Sequence, residues 1–163
     1  MYRRVFPLVP IDVSAGEFCM QFFIIDDNPH IRTELRRILE KQCVSEPDQI
    51  EETGDAVTAL QLVFSTDYDL VLLDLSLGEQ NGLKVLRQIR EERPEQQVLV
   101  VSMHPREIYE PICIKMGAAG YLEKHRAMLE LPGMVANIVA KGSKQKFTRG
   151  YTAPSTNRKQ IQK

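Results

Sequence analysis

The chain has 163 residues, 43% of them hydrophobic, with 21 basic and 22 acidic side chains, enough for one ordinary domain with a full core and about thirty to forty residues to spare. Its charges are segregated: seven basic residues, Lys141 to Lys163, follow the last acidic one, Glu130, which leaves 14 basic against 22 acidic residues in the body. Cys19, Cys43 and Cys113 are widely spaced and form no metal-binding or disulfide pattern, and no segment approaches the ~20 apolar residues of a membrane span, so the expectation is a soluble protein of the reducing cytoplasm. An acidic body suits a metal site, and a basic tail suits an anionic surface.

Residues 1–19 carry Arg3 and Arg4 before an apolar Val5–Val9 run, but Pro7, Pro10 and Asp12 break it well short of a signal sequence. They show no helical or alternating periodicity, so they are expected to lie outside the fold, with Met20 a candidate start. Met20 to Ile25 reads as a buried strand that ends on Asp26 and Asp27. Asn28 then supplies an N-cap and Pro29 the first helical position, and Ile31, Leu35, Ile38 and Leu39 continue a helix to about Gln42. Gln49 to Thr53 is a short polar candidate for an edge strand, and Gly54-Asp55 turns into a helix through Ala56, Ala59, Leu60 and Val63.

Leu70 to Leu73 is apolar on both faces and ends on Asp74, as a strand buried between helix layers would if its carboxyl end opened onto a ligand crevice. Gly82 opens a helix with Leu83, Leu86 and Ile89 inward, closed before Pro94, and Gln97 to Ser102 is another apolar strand, ending on a hydroxyl. A helix is expected from His104 to Met116, with a late start or a kink at Pro111, whose ring and missing N–H cost an established helix roughly 3 kcal/mol. The Gly117–Gly120 turn leads into a short strand, Tyr121-Leu122, that delivers Lys124. A last helix is expected over 132–141, with Pro132 at its start and Gly142 just past its end. The tail, 143–163, has few apolar residues and is expected to be disordered.

Strand and helix alternate five times, the pattern of a single doubly wound α/β domain around a five-stranded parallel sheet of flavodoxin-like type. The strand order expected, 2-1-3-4-5, is carried over from folds of this class rather than read from the residues. Asp26, Asp27, Asp74, Ser102 and Lys124 then all stand at one edge of the sheet. Three carboxylates in one crevice repel one another unless a cation compensates, and oxygen-only ligation favours Mg²⁺. Lys124 and Ser102 can meet an anionic phosphoryl group, and Asp74 can act as the nucleophile that forms an acyl phosphate.

These residues resemble the receiver domain of two-component response regulators. Val-Val-Ser-Met-His104 and Gly-Ala-Ala-Gly-Tyr-Leu-Glu-Lys124 resemble the NarL/FixJ-like subfamily. The resemblance covers about residues 20 to 142. It implies that Asp26 and Asp27 are the acidic pair, Asp74 the phosphoacceptor, Ser102 the conserved hydroxyl, Tyr121 the aromatic switch and Lys124 the invariant lysine. It also implies that the Ser76 backbone carbonyl ligates Mg²⁺, that a histidine kinase or phosphotransfer protein is the donor, and that phosphorylation promotes homodimer or partner binding. Gly78 departs from the family's usual proline and should loosen its loop. Pro111 interrupts a signalling helix, and no DNA-binding domain is visible after residue 142.

Other readings are a haloacid dehalogenase-type phosphatase, which would want an acid where Ser76 stands, a receiver-like scaffold that is not phosphorylated, and a flavodoxin, for which no hydroxyl- and glycine-rich phosphate loop follows the first strand.

Overall fold

The computed structural model describes residues 20–43 and 49–150, the last eight of these by backbone alone. The two flanks, 1–19 and 151–163, lie outside the described residues, as do the expectations made for them.

Among the described residues seven strands and five α-helices follow in the order β1 (Phe22–Ile25), α1 (Pro29–Gln42), β2 (Ile50–Thr53), α2 (Ala56–Ser65), β3 (Leu70–Leu73), β4 (Ser76–Leu77), β5 (Gln80–Asn81), α3 (Gly82–Glu92), β6 (Val98–Ser102), α4 (Arg106–Lys115), β7 (Gly120–Glu123) and α5 (Ala127–Gly150). The main sheet is entirely parallel, with the order β2-β1-β3-β6-β7. Leaving aside the small β4–β5 hairpin, this is the expected 2-1-3-4-5.

Alternate side chains of the sheet feed two cores, as the two-residue strand period requires. Phe23, Ile25, Val71, Leu73 and Val100 pack with α2, α3 and Cys113 of α4. Phe22, Ile24, Leu70, Leu72 and Leu99 pack with Leu35, Ile38 and Leu39 of α1 and with Leu131, Val135 and Ile138 of α5. Every residue of β1, β3 and β6 is buried, whereas the edge strand β2 exposes Glu51 and Glu52. Caps set the helix starts: Asn28 accepts from the His30 amide, Asp55 from Thr58 and Asn81 from Leu83.

Four expectations are corrected. The helix carrying Pro111 starts at Arg106 and runs unbroken to Lys115, which puts the proline at its sixth position on the exposed side, where water can take the freed Glu107 carbonyl. The last helix starts at Ala127, directly after a short turn over Lys124–Arg126, because Ala127 and Leu131 extend its buried stripe one turn ahead of Pro132. It then passes through Gly142 to Gly150, so 143–150 are helical rather than disordered. Gly78 does not simply loosen its loop. With φ +59° it occupies the first central position of the two-residue turn joining β4 to β5, where a positive φ is required.

Gly82 is held by close approach. Its N–H donates to the Leu75 carbonyl at 2.9 Å, and a Cβ there would fall on the Asp74 carbonyl oxygen and 2.6 Å from Leu75 Cα. Gly82→Ala should therefore cost about 1–3 kcal/mol of stability, whereas Gly133→Ala, an exposed helical position where a Cβ meets nothing within 4 Å, should add about 0.5–1 kcal/mol. Urea unfolding of both variants checks the contrast; equal midpoints would contradict the packing described at Gly82.

Candidate functional site

The site lies where the apolar strands end. Asp74 follows β3 and its N–H donates to Ile25 O at 2.9 Å; Asp26 follows β1 and donates to Thr53 O at 3.1 Å. The two acids are thereby set side by side. Ser102 pairs in register with Glu123 across β6 and β7, which places Lys124 immediately beyond it. Its ammonium reaches back over the sheet end, 2.9 Å from Asp74 Oδ2 and 2.6 Å from Asp26 Oδ2.

Burial divides the three acids. The Asp26 and Asp74 side chains are 1% and 3% exposed and that of Lys124 is 8% exposed, while Asp27 is exposed. One oxygen from each of Asp26, Asp27 and Asp74 lies within 4.8 Å of the others. Asp26 Oδ1 accepts from the Asn28 amide at 2.9 Å and Asp27 Oδ2 from the Gly78 amide at 3.0 Å, so the hairpin turn is tied to the acidic pair. With one ammonium for three carboxylates, the all-oxygen cradle keeps excess negative charge and fits a hard divalent cation.

Burial holds the Asp74 carboxyl above the usual carboxylate range; bonds from Lys124 and the Ser76 backbone oppose this, and the Asp26 charge reinforces it. Burial also disfavours the Lys124 charge, but its bonds to Asp26 and Asp74 outweigh that and hold it above the usual lysine range. The ammonium therefore stays charged at neutral pH.

Ser102 is fully buried, and its Oγ accepts from the His104 amide at 3.2 Å. Tyr121 is fully buried too, and its hydroxyl donates to His104 O at 2.9 Å. One peptide segment thus ties the hydroxyl of β6 to the aromatic ring of β7, with Tyr121 already packed inward. Ser76 is exposed next to the acids, its Oγ 3.2 Å from His104 Nε2, and the His104 ring stacks on Tyr109 at 4.6 Å. A groove of about 300 Å³ runs between this stack and the hairpin.

The structure brings Asp26, Asp27, Asp74 and Lys124 together, while Ser102, Tyr121 and the Ser76 side chain each meet His104. Sequence reading missed the Gly78 amide, the His104 link and the Gly82 packing. Only the Gly78-Glu79 dipeptide gave a signal, as a glycine-led two-residue turn.

The chain belongs to the response regulator receiver domain family, whose model matches residues 22–136. Among its relatives are the transcriptional regulatory protein DegU of Brevibacillus brevis, 32% identical over 76% of this chain and 52% of DegU, and the nitrate/nitrite response regulator protein NarL of Escherichia coli K12, 36% identical over 62% of this chain and 46% of NarL. Both are consistent with the NarL/FixJ-like subfamily. The chain spans about half the length of the curated relatives it matches. The crystal structure of a response regulator protein from Burkholderia pseudomallei, with a phosphorylated aspartic acid, calcium ion and citrate, shares the fold at TM-score 0.63 and 20% identity, over 81% of this chain and 75% of that one. Among the described residues no helix is long and apolar enough to cross a membrane.

Asp74 gives a pH test. A buried carboxyl held above its ordinary range costs no stability while it is protonated in both folded and unfolded chains; the cost appears as pH rises from its unfolded toward its folded value. Without divalent cations, Asp74→Asn should therefore be more stable than the parent at pH 7, and the gain should shrink toward acid. Urea titrations at several pH values measure it. A variant less stable at pH 7 would contradict the electrostatics described.

Proposed function

We propose that the chain is a phosphoacceptor switch in which Asp74 takes a phosphoryl group from the phosphohistidine of a histidine kinase or phosphotransfer protein. The observation that carries this reading is the meeting of the buried Asp74 with Asp26, Asp27 and Lys124 at the end of a parallel sheet. An Asp74 oxygen bonds to phosphorus as the phosphorus–imidazole bond breaks, which yields an acyl phosphate and frees the donor histidine. The reaction asks mainly for alignment and charge neutralisation.

Asp26, Asp27, Asp74 and the Ser76 backbone carbonyl would hold Mg²⁺. Bound there, the ion supplies positive charge for the carboxylates and the incoming phosphoryl oxygens. The Burkholderia response regulator's structure holds a phosphorylated aspartic acid and a calcium ion, which supports both an acyl phosphate and a divalent cation for this fold. Lys124 and the Ser102 hydroxyl serve as phosphoryl contacts. Ser102 moving toward a phosphoryl oxygen gives up its bond to the His104 amide and so biases the Tyr121 packing, α4 and β7. The output is altered association, with a partner or a second copy.

The roles are those of a stoichiometric switch, limited to self-phosphorylation from donors and self-dephosphorylation. Ser76 is not the acid that a haloacid dehalogenase-type phosphatase would require, and the complete set of site groups argues against an unphosphorylated scaffold. The free thiols Cys43 and Cys113 suit the cytoplasm as the place of action.

Incubation with acetyl phosphate and Mg²⁺ should label the parent and leave Asp74→Asn unlabelled, because the amide keeps the shape but is a far poorer nucleophile. Asp27→Ala should weaken Mg²⁺ binding about tenfold or more, whereas Lys124→Ala should chiefly reduce the response to phosphorylation. Undiminished labelling of Asp74→Asn would end the assignment, and equal loss of metal affinity in the other two would contradict their division of roles.

A further inference from the structure

Asp26 and Asp27 are consecutive residues with opposite environments, one buried and one exposed. The peptide between them therefore decides where the exposed carboxylate stands. Its carbonyl, Asp26 O, accepts a side-chain hydrogen bond from Arg32 Nη1 at 2.8 Å. Arg32 is the fourth residue of α1. Side chains on a helix lean toward its N-terminus, so a long one at this position reaches back past the Asn28 cap to the end of β1.

The guanidinium is itself fixed. Its Nε lies 3.7 Å from Glu52 Oε1, and the Arg32 side chain is only 19% exposed. The other Glu52 oxygen accepts from Arg36 Nε at 3.0 Å, and Arg36 Nη2 donates to Ile50 O at 2.7 Å. Behind Arg32 the chain passes through Gly54, where a Cβ would stand 3.0 Å from Nη1 and 3.3 Å from Asp27 Cα. Asp26 is thus tied to β2 through its amide and to α1 through its carbonyl. Asp27, one residue on, depends on that frame and on the Gly78 amide.

We infer that Arg32 is a positioning residue for the cation cradle: it fixes the Asp26–Asp27 peptide so that the exposed carboxylate faces Asp26 and Asp74. The inference rests on the reading that these three acids bind Mg²⁺. Positioning and plain electrostatics predict opposite signs. A guanidinium near three carboxylates repels a divalent cation, so its removal would tighten binding if charge alone mattered. Removing an outer-shell anchor loosens a metal site, by about tenfold or more in affinity.

Calorimetric titration of Mg²⁺ into the full chain, with urea unfolding to verify folding, separates the two. Arg32→Met should bind about tenfold more weakly than the parent. Arg32→Lys, which keeps the charge and one donor but not the fork, should fall between them, and it carries the test alone if Arg32→Met does not fold. Arg37→Met, which removes an exposed cation of the same helix outside the Arg32–Glu52–Arg36 network, should stay within about twofold. Parent-like or tighter binding by the folded Arg32 variants, or an equal loss in Arg37→Met, would overturn the inference. A parent that binds no Mg²⁺ would remove the underlying reading as well, an outcome distinct from a binding parent with unaffected variants.

Discussion

Three carboxylates share a single ammonium at the carboxyl edge of the sheet, and the local architecture follows from that imbalance. Lys124 bridges Asp26 and Asp74, both almost out of contact with water, while Asp27 stands at the mouth on an amide of the hairpin turn. An unpaired buried carboxylate costs several kcal/mol, and Lys124 offsets part of that cost for both inner acids. Yet one positive charge cannot neutralise three negative ones. The residue of negative charge fits the site to a divalent cation.

The fold can carry such a site because the cost is confined to the ends of strands whose remaining residues are wholly apolar. β1, β3 and β6 bury every side chain, and both faces of the sheet are covered, by α1 and α5 on one side and α2, α3 and α4 on the other. Residues far apart in sequence meet because parallel strands all present the same end to one edge. From that edge a short polar path leads outward: the His104 backbone is bonded to Ser102 at its amide and to Tyr121 at its carbonyl. These two bonds join the ends of β6 and β7 to the segment that leads into α4.

Much of this was legible in the sequence for physical reasons. Strands buried on both faces read as unbroken apolar runs, so Leu70–Leu73 and Val98–Val101 could be found by composition, and the polar residue ending each run marked the site. Asn28-Pro29 announced a helix start because each residue has its own reason to be there. The β4–β5 hairpin was hidden because strands of two residues have no periodicity, and its glycine suggested looseness when the backbone needed a positive φ. The start of α5 was misplaced because a proline is commonest in a first turn, whereas the burial of Ala127 and Leu131 decided the matter. Gly82 against Leu75 and Arg32 against Asp26 are contacts between elements, which no local pattern encodes.

The proposed function depends on formation of an acyl phosphate at Asp74. Reducing the phosphorylated protein with borohydride converts an aspartyl phosphate to homoserine, and peptide mass spectrometry then locates the residue. Homoserine is expected at position 74, formed only when Mg²⁺ accompanied the phosphodonor. Modification at another residue, or none after treatment with donor and Mg²⁺, would contradict it.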